Sequence, residues 1–162
     1  MTTVVFTREQ VAADCQMTEA HGRICNSSYA KIFQNERYII GMAGAVGQCQ
    51  RVVDWILDGC CDEDGNPTMP YISEREDVGY NIAYIDKFTG KLYVVEGICF
   101  DVIEVNYPYA LGSGSDYALG YLYKRKGKDL AVKAVKAASY YDIATNDNVS
   151  HIDVELDLQE EL

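Results

Sequence analysis

The sequence predicts an α+β sandwich with antiparallel sheets inside and helices outside. Three observations predict it. Short runs rich in β-branched and aromatic residues are interspersed with stretches of helical period. These come in the order strands, helix, strands, two helices, strand. The plainest hairpin signal is the pair of runs Tyr80 to Asp86 and Lys91 to Glu96 about the turn Asp86-Lys87-Phe88-Thr89-Gly90. With no internal repeat and no linker, residues 1–162 are expected to form one domain, of which about 153–162 is an acidic tail.

In chain order, residues 2–8 predict a strand, with Thr2, Thr3, Val4, Val5 and Phe6. A turn near Arg8-Glu9-Gln10 leads into a second short strand, Val11-Ala12-Ala13, ending at Asp14. Residues 15–28 are polar and mixed, with a loop at Asn26-Ser27-Ser28. Tyr29-Ala30-Lys31-Ile32-Phe33 is apolar except for its central lysine. Arg37 to Gly44 predicts a buried strand. Cys49, Val52, Val53, Ile56, Leu57 and Cys60 recur at helical spacing and predict a helix over about 45–58. Glycines and prolines then make a loop of 58–70. Gly97 to Val105 keeps extended character. Leu111-Gly112-Ser113-Gly114-Ser115-Asp116 is a turn opening a helix over about 116–126, with Ser115 as the expected N-cap. Gly127 separates it from a helix over about 128–141, whose stripe is Leu130, Ala134, Ala138 and Tyr141. A strand near His151 to Glu155 closes the pattern.

Composition excludes several function classes. The chain has 162 residues, 48% hydrophobic and 24% charged, enough for a core without staples. No run approaches the ~18 apolar residues that span a membrane. No basic and apolar leader precedes the first strand, so a cytoplasmic protein with no membrane association is expected. The net charge of -11, from 14 basic and 25 acidic residues, argues against a nucleic-acid partner. The acidic excess gathers at Asp153, Glu155, Asp157, Glu160 and Glu161, expected as a solvated end; a docking tail for a basic partner is the lesser alternative. Cys15, Cys25, Cys49, Cys60, Cys61 and Cys99 are expected as free thiols. They form no C-x-x-C pair, and His21 and His151 stand apart from them. No metal or other cofactor is therefore expected. Asp62-Glu63-Asp64-Gly65-Asn66 shares part of a calcium-loop pattern but lacks its ligand alternation and closing glutamate.

The chemistry-bearing stretch is Met1-Thr2-Thr3. A methionine before a small residue is a substrate for methionine aminopeptidase, and removal of Met1 would expose Thr2. An N-terminal threonine carries a nucleophilic hydroxyl and, in its own α-amine, a base for the hydroxyl proton. Met-Thr-Thr is also a common way for a chain to begin, so the rest of the sequence has to carry the argument.

Five short matches in order do so: Thr2-Thr3-Val4-Val5; Asp14; Lys31 within Asn26-Ser27-Ser28-Tyr29-Ala30-Lys31-Ile32; Gly41-Met42-Ala43-Gly44-Ala45-Val46-Gly47-Gln48-Cys49; and Leu111-Gly112-Ser113-Gly114-Ser115-Asp116-Tyr117-Ala118. Asp142-Ile143-Ala144-Thr145 is a weaker sixth. From Thr2 to about His151 the chain resembles the proteasome-type β-subunits of the N-terminal nucleophile hydrolases, most of all the bacterial HslV peptidase group. The resemblance implies a four-layer αββα sandwich and a threonine peptidase. It makes Thr2 the nucleophile and Lys31 the cation that depresses the amine pKa from its reference of about 7.7–8.0. Asp14 would compensate Lys31, and the Gly44 N–H would face the oxyanion. Ser113, Asp142 and Thr145 would orient the amine. Met42 and Val46, with Met17, Tyr29 and Phe33, would select a bulky apolar residue on the acyl side of the cut. The resemblance further implies homo-oligomeric stacked rings, a peptide or unfolded-protein substrate and an ATPase unfoldase partner. The alternatives are a silent ring or scaffold subunit, should Met1 be retained, and an amidohydrolase of small amides. Three features depart from the family pattern: the short span from Thr2 to Asp14, Ala45 in place of a second glycine, and Phe33 where HslV relatives carry a basic residue.

Overall fold

The computed structural model describes residues 2–19, 21–73 and 77–158. Its elements are β1 (Val4–Phe6), β2 (Gln10–Asp14), β3 (Met17–Thr18), β4 (Ile24–Asn26), β5 (Ile32–Gln34), β6 (Tyr38–Gly44), α1 (Val46–Leu57), β7 (Tyr80–Asp86), β8 (Lys91–Glu96), β9 (Asp101–Val105), β10 (Tyr109–Leu111), α2 (Ser115–Leu122), α3 (Leu130–Tyr141) and β11 (Val149–Asp153). The strands form a four-stranded sheet, β10-β1-β2-β11, a five-stranded sheet, β5-β6-β7-β8-β9, and a small β3-β4 pair. Every pairing is antiparallel. No helix among the described residues is long and apolar enough to cross a membrane.

Side chains alternate between the two faces of a strand, and the three cores follow from that alternation. Val4, Phe6, Val11 and Ala13 face one way and meet Ile39, Ala43, Ile85 and Val94 of the five-stranded sheet. Val5 and Ala12 face the other way and meet Ala118, Ala131, Ala134, Val135 and Ala138 of α2 and α3. On the far face of the five-stranded sheet, Ile40, Met42 and Ile82 meet Cys49, Val52, Val53 and Ile56 of α1. One glycine lets the two sheets close at their centre. A Cβ on Gly41 would lie 2.6 Å from both Val4 Cγ1 and Phe6 Cζ. β1 therefore rests directly on β6, and the residues before β1 come to lie beside the start of β5.

The expected mixed architecture and its main elements are present, with local corrections. β1 is shorter than residues 2–8, and β11 is shifted to Val149–Asp153. α2 ends at Leu122, four residues before its expected end, because residues 123–129 are exposed and offer the sheet no apolar contact. Ser115 is the first residue of that helix, whose N-cap is Gly114 with no side-chain cap. The buried stripe of α3 is Ala131, Ala134, Val135 and Ala138; Tyr141 is 66% exposed and stacks on Tyr117 instead. The Asp62 carboxylate accepts the backbone N–H groups of Asp64 and Asn66, closing a local turn. Beyond Asp153 the tail is tied back by the N–H of Val154 to Glu9 O and of Asp157 to Lys87 O.

Candidate active site

β2 ends inside the protein, which fixes the centre of the site. Asp14 is fully buried, a costly position for a carboxylate unless it is paired and hydrogen-bonded. It accepts from the backbone N–H of Thr3 at 2.9 Å and of Gln16 at 3.0 Å, and from the Thr2 hydroxyl. Lys31 Nζ lies 2.9 and 3.0 Å from its two oxygens. Lys31 immediately precedes β5 and is held at the sheet by its carbonyl, which accepts the Met42 N–H at 2.9 Å. From there Nζ also donates to Thr2 Oγ1. Thr2, Asp14 and Lys31 thus form a closed triangle of mutual contacts. Burial pulls the Lys31 ammonium below its ordinary pKa, and the attraction of Asp14 offsets only part of that.

Thr3 points to the opposite side of the strand, into a second cluster. Its hydroxyl is 2.7 Å from Thr145 Oγ1, and Thr145 Oγ1 donates to Asp142 Oδ2 at 2.7 Å. Ser113 Oγ donates to the same oxygen at 2.6 Å, and the Ala144 N–H donates to Oδ1 at 3.1 Å. Burial pushes the Asp142 pKa up, but these three donors together outweigh it and leave the carboxyl below its ordinary value. The turn before α2 is moulded on the threonines. Gly112 has φ of +91°, and a Cβ there would lie 1.9 Å from Thr2 O. A Cβ on Gly114 would lie 1.9 Å from Thr3 Oγ1.

Gly44 closes β6 beside Thr2. Its φ of +115° and the 2.1 Å separation between an added Cβ and Gly79 O make glycine obligatory there. The Ala45 N–H donates to Gly79 O at 2.7 Å. Gln48 then clamps the same loop, accepting from the Gly79 N–H and donating to Asp77 O. A cavity of about 40 Å³ opens between Thr2, Lys31 and Gly44. Met17, Tyr29, Met42 and Val46 line it as well, so four of the five expected selectivity residues converge there. Phe33 does not; it is half-buried and packs against the core between β6 and α1. Gln16, Thr18, Ala43 and Cys49 complete the lining and were not anticipated. Cys49 carries the one legible signal, since its helical spacing from Val52, Val53 and Ile56 turns it toward β6.

The sequence matches no protein-family model, and no curated protein matches it. Its structure does match solved structures over nearly its full length. Against eukaryotic HslV from Trypanosoma brucei the TM-score is 0.65 at 18% identity, covering 95% of this chain and 98% of the other. BPH from Thiobacillus denitrificans in complex with epoxomicin gives 0.65 at 19%, covering 96% and 98%. BPH alone gives 0.64 at 19%, covering 96% and 97%. At such identities the likeness is one of fold: the chain folds as HslV-type, proteasome-like proteins do.

Proposed function

We propose that the chain is a threonine-type endopeptidase with Thr2 as nucleophile, the proteolytic subunit of a ring-shaped protease. The observation that carries this reading is the contact of Thr2 Oγ1 with both Lys31 and Asp14 at the edge of a cavity. The HslV-like fold supports it. The packing order of α2 and α3, four-stranded sheet, five-stranded sheet and α1 supports the four-layer αββα architecture of N-terminal nucleophile hydrolases.

Met1 lies outside the described residues, and its removal is part of the proposal. With it gone, the Thr2 amine takes the hydroxyl proton as Oγ1 attacks the substrate carbonyl carbon. Lys31 disfavours a second positive charge and keeps more of the amine neutral. The Gly44 N–H faces the oxyanion, a donor worth ~3 kcal/mol in such sites. Collapse of the tetrahedral intermediate breaks the C–N bond, the amine proton goes to the leaving nitrogen, and an acyl ester on Thr2 remains. Water then hydrolyses it. Ser113, Asp142 and Thr145 act on the amine as orienting groups through the turn that holds Thr2 and Thr3.

The partners proposed with this reading are peptide or unfolded-protein substrates, further copies of the chain in stacked cytoplasmic rings, and an ATPase unfoldase that feeds them. The experiment pairs Thr2→Ala with the intact mass of the purified protein. We expect a mass lighter by one methionine and peptide hydrolysis that disappears in Thr2→Ala while assembly is unchanged. Full hydrolysis in Thr2→Ala refutes the mechanism. Retained Met1 without turnover instead identifies a silent ring or scaffold subunit.

A further inference from the structure

Resting on the peptidase reading, we infer that Asn146 is a positioning residue. It locks the loop that carries Asp142 and Thr145 onto the end of β2, and so holds the two threonine clusters in register with one another.

β2 leaves its sheet in the middle of the site. Its last pairing with β11 is Asp14 with Val149, so the ladder supplies no partner for the residue that follows. That residue, Cys15, is buried, and a buried N–H without an acceptor is costly. The Asn146 side chain supplies the acceptor: its Oδ1 takes the Cys15 N–H at 3.0 Å. The rest of Asn146 is engaged as well. Its Nδ2 donates to Ser27 O at 3.2 Å, in the loop that leads to Lys31. Its backbone N–H makes a long bond of 3.4 Å to Asp14 Oδ2, the oxygen that also accepts the Gln16 N–H. One half-buried residue thus joins three segments, two of which deliver Asp14 and Lys31.

The third segment belongs to the other cluster. Asn146 directly follows Thr145, whose hydroxyl meets Thr3 and Asp142. Gln16 adds a tie to the same loop, its Nε2 donating to Ile143 O at 3.0 Å. Thr2 and Thr3 are neighbours on one strand. A shift of the 142–146 loop against β2 therefore pulls on Thr3 while Asp14 and Lys31 hold Thr2. A misplacement of about 1 Å in such a site can cost about 10²-fold in rate. Asn146 does not line the cavity beside Thr2, so its part lies in geometry and not in gripping the substrate. Asn148 gives the contrast. Its Nδ2 donates to the same Ser27 O at 3.0 Å, yet among the described residues it makes no hydrogen bond to Cys15 or Asp14.

The test uses the full chain, a fluorogenic peptide substrate, and a peptide vinyl sulfone scored by adduct mass on Thr2. In Asn146→Ala we expect kcat to fall by about tenfold to 10²-fold, with KM changed by less than about twofold. Adduct formation should slow by a similar factor. Asn146→Ser keeps an oxygen acceptor of shorter reach and should lose less. Asn148→Ala, which removes only the tie to Ser27, should keep the wild-type kcat. An unchanged kcat in Asn146→Ala overturns the inference, as does a raised KM with kcat intact. An equal loss in Asn148→Ala overturns it too, since general loosening at Ser27 would then explain both. In each of these cases the peptidase reading stands. Should Asn146→Ala fail to fold, the same kcat and KM split in Asn146→Ser decides. Absence of both turnover and a Thr2 adduct in the wild type overturns the peptidase reading and this inference with it.

Discussion

Adjacent threonines at the start of β1 serve two clusters built on different terms. Thr2 meets Asp14 and Lys31, and the three are 2%, 0% and 5% exposed. Thr3 meets Thr145, and through it Asp142 and Ser113, where the serine is exposed and the aspartate half-buried. The first cluster contains a full ion pair away from water, where attraction and desolvation are both large. The second is a chain of hydroxyls around one carboxylate that runs from the buried Thr3 and Thr145 out to the exposed Ser113, with no cation among its members. The difference teaches where the protein concentrates electrostatic stress. It lies on the nucleophile's side of β1, and the other side supplies orientation.

The largest expected break of this comparison is Lys31→Ala. It leaves Asp14 charged, buried and without its cation. Such losses cost about 3–5 kcal/mol. The N–H donors of Thr3 and Gln16 remain, which places the loss near the lower end. Urea unfolding checks this, and peptide hydrolysis should vanish alongside. The same kind of change in the second cluster should cost far less.

Next come the two glycines that seat the threonines. Gly112→Ala would drive a methyl into Thr2 O, and Gly114→Ala would drive one into Thr3 Oγ1. Each should lose about 1–3 kcal/mol in thermal unfolding through local strain. Their activities should separate. Gly112→Ala displaces the nucleophile itself and should lower kcat about 10²-fold. Gly114→Ala displaces its neighbour and should lower it less. Equal losses would erase the distinction between the clusters.

The smallest effect is in pH. Asp142 is held below its ordinary value, so its contribution to stability is present above the unfolded carboxylate pKa and lost as pH falls through the folded one. Asp142→Asn should therefore flatten the acid side of the melting-temperature profile below about pH 4. Lys31 has the same sign in a different, alkaline window. Its lowered pKa means that the unfolded chain binds a proton the folded chain lacks as pH rises toward the ordinary lysine value, so stability rises with pH in that window. The two clusters should thus mark opposite ends of one profile.

Much of this was legible in the chain. The β7–β8 hairpin, the α1 period, the buried run of β6 and the β-branched run of β1 all rest on local signals that the tertiary structure did not override. The glycines at 44 and 112 stand where backbone demands them. Less legible were β3, β4 and β10. β4 is wholly exposed, and β10 has three residues whose strand character comes from pairing with β1. Short segments like these carry too few residues for a period to show.

The sequence by itself determined which residue types could do chemistry and on which face of each element they lie, because strand and helix periods are local properties of the backbone. It named Thr2, Asp14, Lys31, Gly44, Ser113, Asp142 and Thr145 through resemblance. Tertiary structure alone decided that Thr2 and Thr3 serve two clusters rather than one, that Phe33 packs against a core and not into the cavity, and that Cys49 lines the cavity. Those outcomes depend on contacts between residues far apart in the chain, such as Thr2 with Lys31 and Thr3 with Thr145. Only the packing of β1 onto Gly41 and of α3 onto the four-stranded sheet brings such partners to a definite distance.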